Sequence, residues 1–275
     1  MTDYFGISRQ AFYKAEQLMQ EKVLSEQLAL EMVNDIRCRQ PKIGGRKLYY
    51  LLSEDLQKLP SKIGRDALFT LLRNNSLLVL RKRSRFSTTN SCHGNKIYPN
   101  LIKDLAVTKP NQVLISDITY IRHIGGFSYL SVISDLYSRK ILGFYVSDNL
   151  SLEGPLKALK CSLRQLNDNE KIGMIHHSDR GIQYSSFQYT DKLKKHNVQI
   201  SMSAKGNPYD NAVMERIIGI LKQEFLLDQT FVNIESIRKA VKEAVTIYNE
   251  ERPHLSLAYK TPAMVYNEND CEKAA

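Results

Sequence analysis

The 275-residue chain contains no tryptophan, and its four cysteines (Cys38, Cys92, Cys161, Cys271) lie far apart without one Cys-x-x-Cys pair. That spacing argues against a zinc ribbon or a disulfide framework and fits reduced thiols in a cytoplasm. No apolar run approaches the roughly 18 residues of a membrane span. The opening MTDYFGISRQ also lacks the apolar stretch of a signal peptide. Neither secretion nor membrane insertion is expected, and the expected location is cytoplasmic. Acidic residues are the scarcer charge, 29 against 39 Lys and Arg, which leaves a formal charge of +10. Such a surplus suits a polyanionic partner. What remains, 43% hydrophobic and 25% charged residues, is ordinary for a globular chain with one large domain and a smaller one.

Residues 1–20 hold Gly6 followed by Ile-Ser-Arg-Gln-Ala-Phe-Tyr-Lys, in which Ser8 can cap a helix carrying Arg9, Gln10 and Lys14. This resembles the second half of a helix-turn-helix, with too few residues ahead of Gly6 for its supporting helix. Arg9 is a candidate DNA contact. Apolar residues recur at helical spacing from Val23 to Arg39, and Pro41 to Gly45 stops that helix. A second helix is expected near Arg46 to Leu56, and a third, capped by Ser61, through Arg73. With Leu77 to Arg85 these segments suggest a small, winged-helix-like DNA-binding domain over residues 21–85. Arg81, Lys82, Arg83 and Arg85 form the densest positive charge in the chain and suit phosphate contacts, the lesser alternative being a solvated face. Residues 86–107 read as a linker, rich in polar residues with Gly and Pro.

Beyond the linker, over residues 108–266, the pattern changes to strands. Val113 to Ile121, Tyr129 to Leu136 and Ile141 to Val146 are short apolar runs parted by Gly125-Gly126 and by Ser138-Arg139-Lys140, an antiparallel meander. A helix (Leu152 to Leu166), a strand (Ile172 to His176), a helix (Phe187 to His196), a strand (Val198 to Met202) and two more helices (Asp210 to Leu227, Ile234 to Asn249) follow, with a tail over residues 267–275. Three antiparallel strands followed by strand and helix alternation outline a ribonuclease H-like α/β core with a mixed five-stranded sheet and flanking helices.

Three carboxylates stand out. Asp117 interrupts the apolar strand Val113 to Ile121, where an unpaired charge would cost several kilocalories per mole if buried. Asp179 follows a strand closely, at the end where open α/β sheets place their ligand crevice. Glu215 shares one stripe of its helix with Asn211 and Lys222, beside an apolar stripe of Met214, Ile218, Leu221 and Phe225. Taken singly, each could be a capped or solvated acid. Together, three hard oxygen donors on two strand ends and a helix are what a two-Mg²⁺ site requires, with Asp117 bridging the ions. Lys222 would meet DNA phosphate near the scissile bond. His176 and His177 point to opposite faces of a strand, so at most one can face the crevice.

The segments NQVLISDITYI, HHSDRGIQYSS, KGNPYDNAVMERIIGILKQE and YNEERPHLSLAYKTPAMV resemble, in order and spacing, the second-frame protein of IS3-type insertion sequences. The likeness covers nearly the whole chain. Between Asp179 and Glu215 lie 35 residues, as in D-D-E transposases and retroviral integrases, and Lys222 stands seven after the glutamate. The resemblance implies a ribonuclease H-like integrase core with Asp117, Asp179 and Glu215 catalytic and metal-binding, two Mg²⁺ ions (Mn²⁺ able to substitute), and action on terminal inverted repeats and target DNA. Lys222, which the resemblance also places beside the site, and Asn211, His177 and Lys205 are candidate DNA contacts. It also implies a homo-oligomer and an upstream-frame helix-turn-helix and leucine-zipper partner, joined by frameshift fusion. Two departures accompany it: Leu114 stands where the family usually has Trp, and Ala204 where a basic residue often precedes the Lys-Gly-Asn turn. A silent DNA-binding relic or repressor and a stand-alone ribonuclease H-type nuclease are the alternatives. The first is disfavoured by the complete carboxylate set and Lys222, the second by the amino-terminal helical reader. In the tail after Tyr248, Arg252, His254 and Lys260 are either DNA contacts or anchors on the core.

Overall fold

Residues 9–39 contain neither glycine nor proline, and nothing in them breaks a helix. In the computed structural model, which describes residues 8–79, 95–204 and 211–271, they form one unbroken helix, α1 (Arg9–Arg39). Ser8 caps it as expected, its Oγ accepting from the Ala11 N–H at 3.1 Å. The anticipated division near residue 20 has no structural break. The chain divides instead into two compact units, residues 1–82 and 83–275.

In the first unit α1 is followed by α2 (Gly45–Lys58) and α3 (Arg65–Asn74). Ala29, Val33, Ile43, Leu48, Leu56, Leu68 and Leu72 close its core. Ser61 does not cap α3, which starts after Gly64; the Ser61 N–H donates to Ser25 Oγ of α1 at 2.9 Å, so a serine read as a cap is a tether between helices. Of the expected wing, residues 77–79 are described and form no strand, Leu77 and Leu78 packing on the core, while Arg81, Lys82, Arg83 and Arg85 lie outside the described residues.

The second unit is built on a five-stranded sheet of order β3-β2-β1-β4-β5, with β1 (Val113–His123), β2 (Gly126–Asp135), β3 (Ile141–Ser147), β4 (Ile175–Ser178) and β5 (Gln199–Met202). The first three strands are an antiparallel meander, while β4 joins β1, and β5 joins β4, in parallel. Between them run α4 (Glu153–Arg164), two single turns, α5 (Asp168–Lys171) and α6 (Ile182–Ser185), and α7 (Phe187–Lys195). After β5 come α8 (Ala212–Glu224), α9 (Ile234–Glu250), a 3₁₀ turn (Leu255–Leu257) and α10 (Pro262–Cys271). Side chains alternate across the sheet. Val113, Ile115 and Ile121 pack with Ile217, Leu221, Ile237 and Val241 of α8 and α9, whereas Leu114, Ile133 and Leu142 pack with Leu159, Leu163, Tyr189 and Leu193 of α4 and α7. α4 lies so close to β3 that a Cβ on Gly143 would stand 2.2 Å from the Ala158 carbonyl oxygen, which only glycine permits.

β4 begins three residues later than its apolar run suggests. Gly173 turns the chain at φ +77°, and Ile172 is left 70% exposed rather than in the sheet. α10 crosses the expected boundary between core and tail at residue 266. Among the described residues no helix is long and apolar enough to cross a membrane.

Candidate active site

Asp117 shares the α8 face of β1 with Ile115 and Ile121 and pairs in register with Val132. One backbone donor reaches it, the Ile118 N–H at 2.7 Å from Oδ1. Asp179 stands one residue past β4, where its Oδ1 accepts from the Gly181 N–H at 2.9 Å. A Cβ on Gly181 would sit 2.9 Å from that same oxygen, so a glycine lets the loop fold tightly around the carboxylate. Glu215 lies in the first turn of α8, where the helix dipole favours negative charge. The start of that helix is tied to β1 by Asn211, whose Nδ2–H donates to the Ser116 carbonyl at 3.4 Å.

Electrostatics bring these residues together. Burial pushes the Asp117 carboxyl up to about 7, and the negative charges of Asp179 and, more weakly, Glu215 push the same way. The Ile118 N–H and the Lys222 ammonium oppose the rise. Lys222, in the last turn of α8, is half-buried; burial lowers its pKa while Asp117 and Asp228 hold its charge. Its Nζ lies 4.4 Å from the centroid of the Tyr120 ring, a cation held over a π face. Mutual repulsion of carboxylates around a poorly solvated aspartate is relieved most directly by a divalent cation, and all three donors are hard oxygens of the kind Mg²⁺ takes. Among the described residues no three His, Cys, Asp or Glu side chains are drawn tightly enough to enclose an ion.

Behind Asp117 lies a buried polar layer that strand and helix periodicity did not disclose. The Tyr184 hydroxyl of α6 hydrogen-bonds Ser116, next to Asp117 in β1, and Tyr189 makes a hydrogen bond to Ser116 as well. Tyr189 Oη also lies 3.1 Å from His176 Nε2, and its ring meets that of Tyr184 edge-on at 5.3 Å. Burial and the neighbouring His177 push His176 down to about 3, so it is neutral at physiological pH. The QY of HHSDRGIQYSS was the available signal, but nothing local says that a tyrosine five residues past Asp179 returns beneath β1.

One expected DNA contact, His177, is corrected, and the open reading of the tail after Tyr248 is narrowed. His177 is fully buried, with Nδ1 2.8 Å from Ser201 Oγ and Nε2 3.2 Å from Ser203 Oγ. The two histidines do point to opposite faces, but β4 lies between β1 and β5 with both faces covered, so neither reaches the surface. In the tail, Arg252 is buried in a two-pronged pair with Glu224, Nε to Oε2 at 2.9 Å and Nη2 to Oε1 at 2.8 Å. His254 packs edge-on against Tyr248, and Lys260 bonds Glu268 at 2.6 Å. Arg252 and His254 anchor the tail on α8 and α9, while the exposed Lys260 pairs within the tail. Arg9 is exposed at the start of α1, and Lys205 lies outside the described residues.

Two family models described as integrase core domain match residues 107–208 and 196–262, so the second unit is an integrase core. The chain is 36% identical over 268 residues to the 31 kDa protein of insertion element IS600 from Shigella sonnei, covering 96% of each. It is 34% identical over 200 residues to the transposase InsF of insertion sequence IS3A from Escherichia coli K12, covering 72% of this chain and 69% of InsF. The HTLV-2 integrase catalytic core domain in complex with magnesium aligns over 57% of this chain and 97% of that one, at 16% identity and a TM-score of 0.45. The chain belongs to the IS3-type insertion-sequence transposases, as their second-frame protein, and acts in DNA transposition and integration.

Proposed function

We propose that this transposase cuts the terminal inverted repeats of its element and joins them to target DNA at a D-D-E centre formed by Asp117, Asp179 and Glu215. The observation that carries the reading is the electrostatic crowding at Asp117, whose carboxyl is raised by burial and by the charges of Asp179 and Glu215. A pair of Mg²⁺ ions, or Mn²⁺, would be held by these three carboxylates. When bound, such a pair supplies a deprotonated water or 3′-hydroxyl as nucleophile and neutralises the leaving 3′-oxygen. In each transfer one P–O bond forms as the bond to the leaving oxygen breaks. Hydrolysis frees a 3′-hydroxyl at the element end, and strand transfer uses that hydroxyl on a target phosphodiester.

The chain's own residues bind and orient. Lys222 offers a positive charge to the phosphate beside Asp117. Asn211 holds α8, and with it Glu215, against the Ser116 carbonyl, and Tyr184 steadies Ser116 from the other side. Synapsis of two ends requires at least a dimer, and an upstream-frame helix-turn-helix and leucine-zipper protein, fused by frameshifting, would complete end recognition in the cytoplasm.

The test is cleavage and joining of a labelled duplex carrying the element's terminal inverted repeat, with Mg²⁺, by this chain alone and by its fusion to the upstream-frame protein. Cleavage with joining in either form, lost in Glu215→Gln, is the expected result. Binding without cleavage in both forms would overturn the reading in favour of a silent DNA-binding relic.

A further inference from the structure

Past Ile115, β1 leaves β4 and is flanked by β2 alone until a single bridge joins His123 to Phe231. Along this stretch Tyr120 and Arg122 share one face, and the register Arg122↔Phe127 and Tyr120↔Tyr129 sets Phe127 of β2 diagonally beside Tyr120. The two rings meet edge to face at 5.4 Å and 86°. Arg122 lies over Phe127 at 5.4 Å, and Lys222 over Tyr120 at 4.4 Å. Phe127 is nonetheless 42% exposed, and Arg122 is exposed. The exposed Phe127 ring and the half-buried Tyr120 ring, bracketed by two cations of which Lys222 also acts on the candidate catalytic Asp117, have the makeup of a surface that stacks nucleobases while holding the backbone.

We propose that Tyr120 and Phe127 form a stacking platform for an unpaired base of the DNA strand flanking the scissile phosphate, with Lys222 and Arg122 holding the phosphates on either side of it. The platform rests on the assignment of Asp117 to the cutting site, which fixes where the strand starts. A strand advances about 3.4 Å per residue, and DNA advances about 3.4 Å per nucleotide. Tyr120 and Arg122, three and five residues beyond Asp117, lie roughly 10 and 17 Å along β1 from it, within the reach of a few nucleotides. Stacking favours no particular base, so the platform grips a frayed end whatever its sequence.

The experiment uses the full chain as Glu215→Gln, with Mg²⁺, on a forked duplex. Its paired part is the terminal inverted repeat, and its five-nucleotide frayed flank carries 2-aminopurine at one position at a time. Quenching at one of these positions, within a few nucleotides of the cut, is expected, absent in Phe127→Ala and restored in Phe127→Tyr. Affinity for the fork should fall about tenfold in Phe127→Ala. An abasic site at the quenched position should weaken the parent by the same factor and leave Phe127→Ala unchanged. Equal fluorescence at all five positions, or an equal abasic penalty in both proteins, would overturn the platform. The two readings fail separately: quenching with no cleavage by the unsubstituted chain defeats the metal assignment alone, and cleavage with no quenching defeats the platform alone.

Discussion

Asp117 and Asp135 lie on neighbouring strands, both poorly solvated, and burial raises the pKa of each, yet their surroundings are opposite. Asp135, at the end of β2, accepts from the Ser138 N–H at 2.7 Å, the Ser138 hydroxyl at 2.6 Å and the Asn111 N–H at 2.9 Å. Its environment is complete, and what it does is close the β2–β3 turn, where Arg139 takes φ 67°. Asp117 has one backbone donor and two repelling carboxylates in reach. A buried acid whose donors are already supplied serves the fold. One crowded by other acids is held at an energetic cost that the fold alone does not require, and such a cost is characteristic of functional sites.

Exchanging the two roles breaks the comparison most sharply. Asp117→Asn should lose several kilocalories per mole of transition-state stabilisation, a fall of ~10³-fold or more in cleavage, with DNA binding retained. Asp135→Asn should keep its cleavage rate per folded molecule; equal losses in a side-by-side cleavage assay would erase the distinction. The next largest effect concerns stability. Asp135→Ala strands two buried donors of Ser138, at about 1–3 kcal/mol each, and the half-buried Asn111 N–H, so the second unit should melt on the order of 10 °C lower in calorimetry. Asp117→Asn without divalent metal should melt no lower than the parent at pH 8.

The smallest effect has a defined sign. In the folded, metal-free chain Asp117 keeps its proton up to about pH 7, against an ordinary 3.8. Between those values the folded state binds more protons than the unfolded one, so this group's contribution to stability falls as pH rises. The melting temperature of the parent should therefore drop more steeply than that of Asp117→Asn from about pH 4 to 7, by a few degrees in total. Mg²⁺ should remove most of the difference at pH 8, and parallel slopes would show that Asp117 is not held as described.

Local pattern reached the carboxylates and the sheet because both leave short-range marks: alternation with period two for β1 to β3, and an acid where alternation calls for an apolar residue. The stripe of Met214, Ile218 and Leu221 beside Glu215 is likewise a local signal, and these three residues are buried against the sheet. The strand Ile172 to His176 shifted because an apolar run does not reveal that Gly173 turns the chain out of the sheet. The burial of His177 and the pairing of Arg252 with Glu224 depend on segments 24 and 28 residues apart, so neither periodicity nor composition carries them.

By itself the sequence determined the order of the main strands and helices of the core, the family, and where along the chain the candidates Asp117, Asp179, Glu215 and Lys222 stand, because secondary-structure period and motif spacing are properties of neighbours along the chain. Only the tertiary structure decided which charges are satisfied. Tyr184 returning beneath Ser116, Lys222 lying over Tyr120, and Asp135 capped where Asp117 is crowded all follow from bringing distant segments into a medium with too little water to screen them.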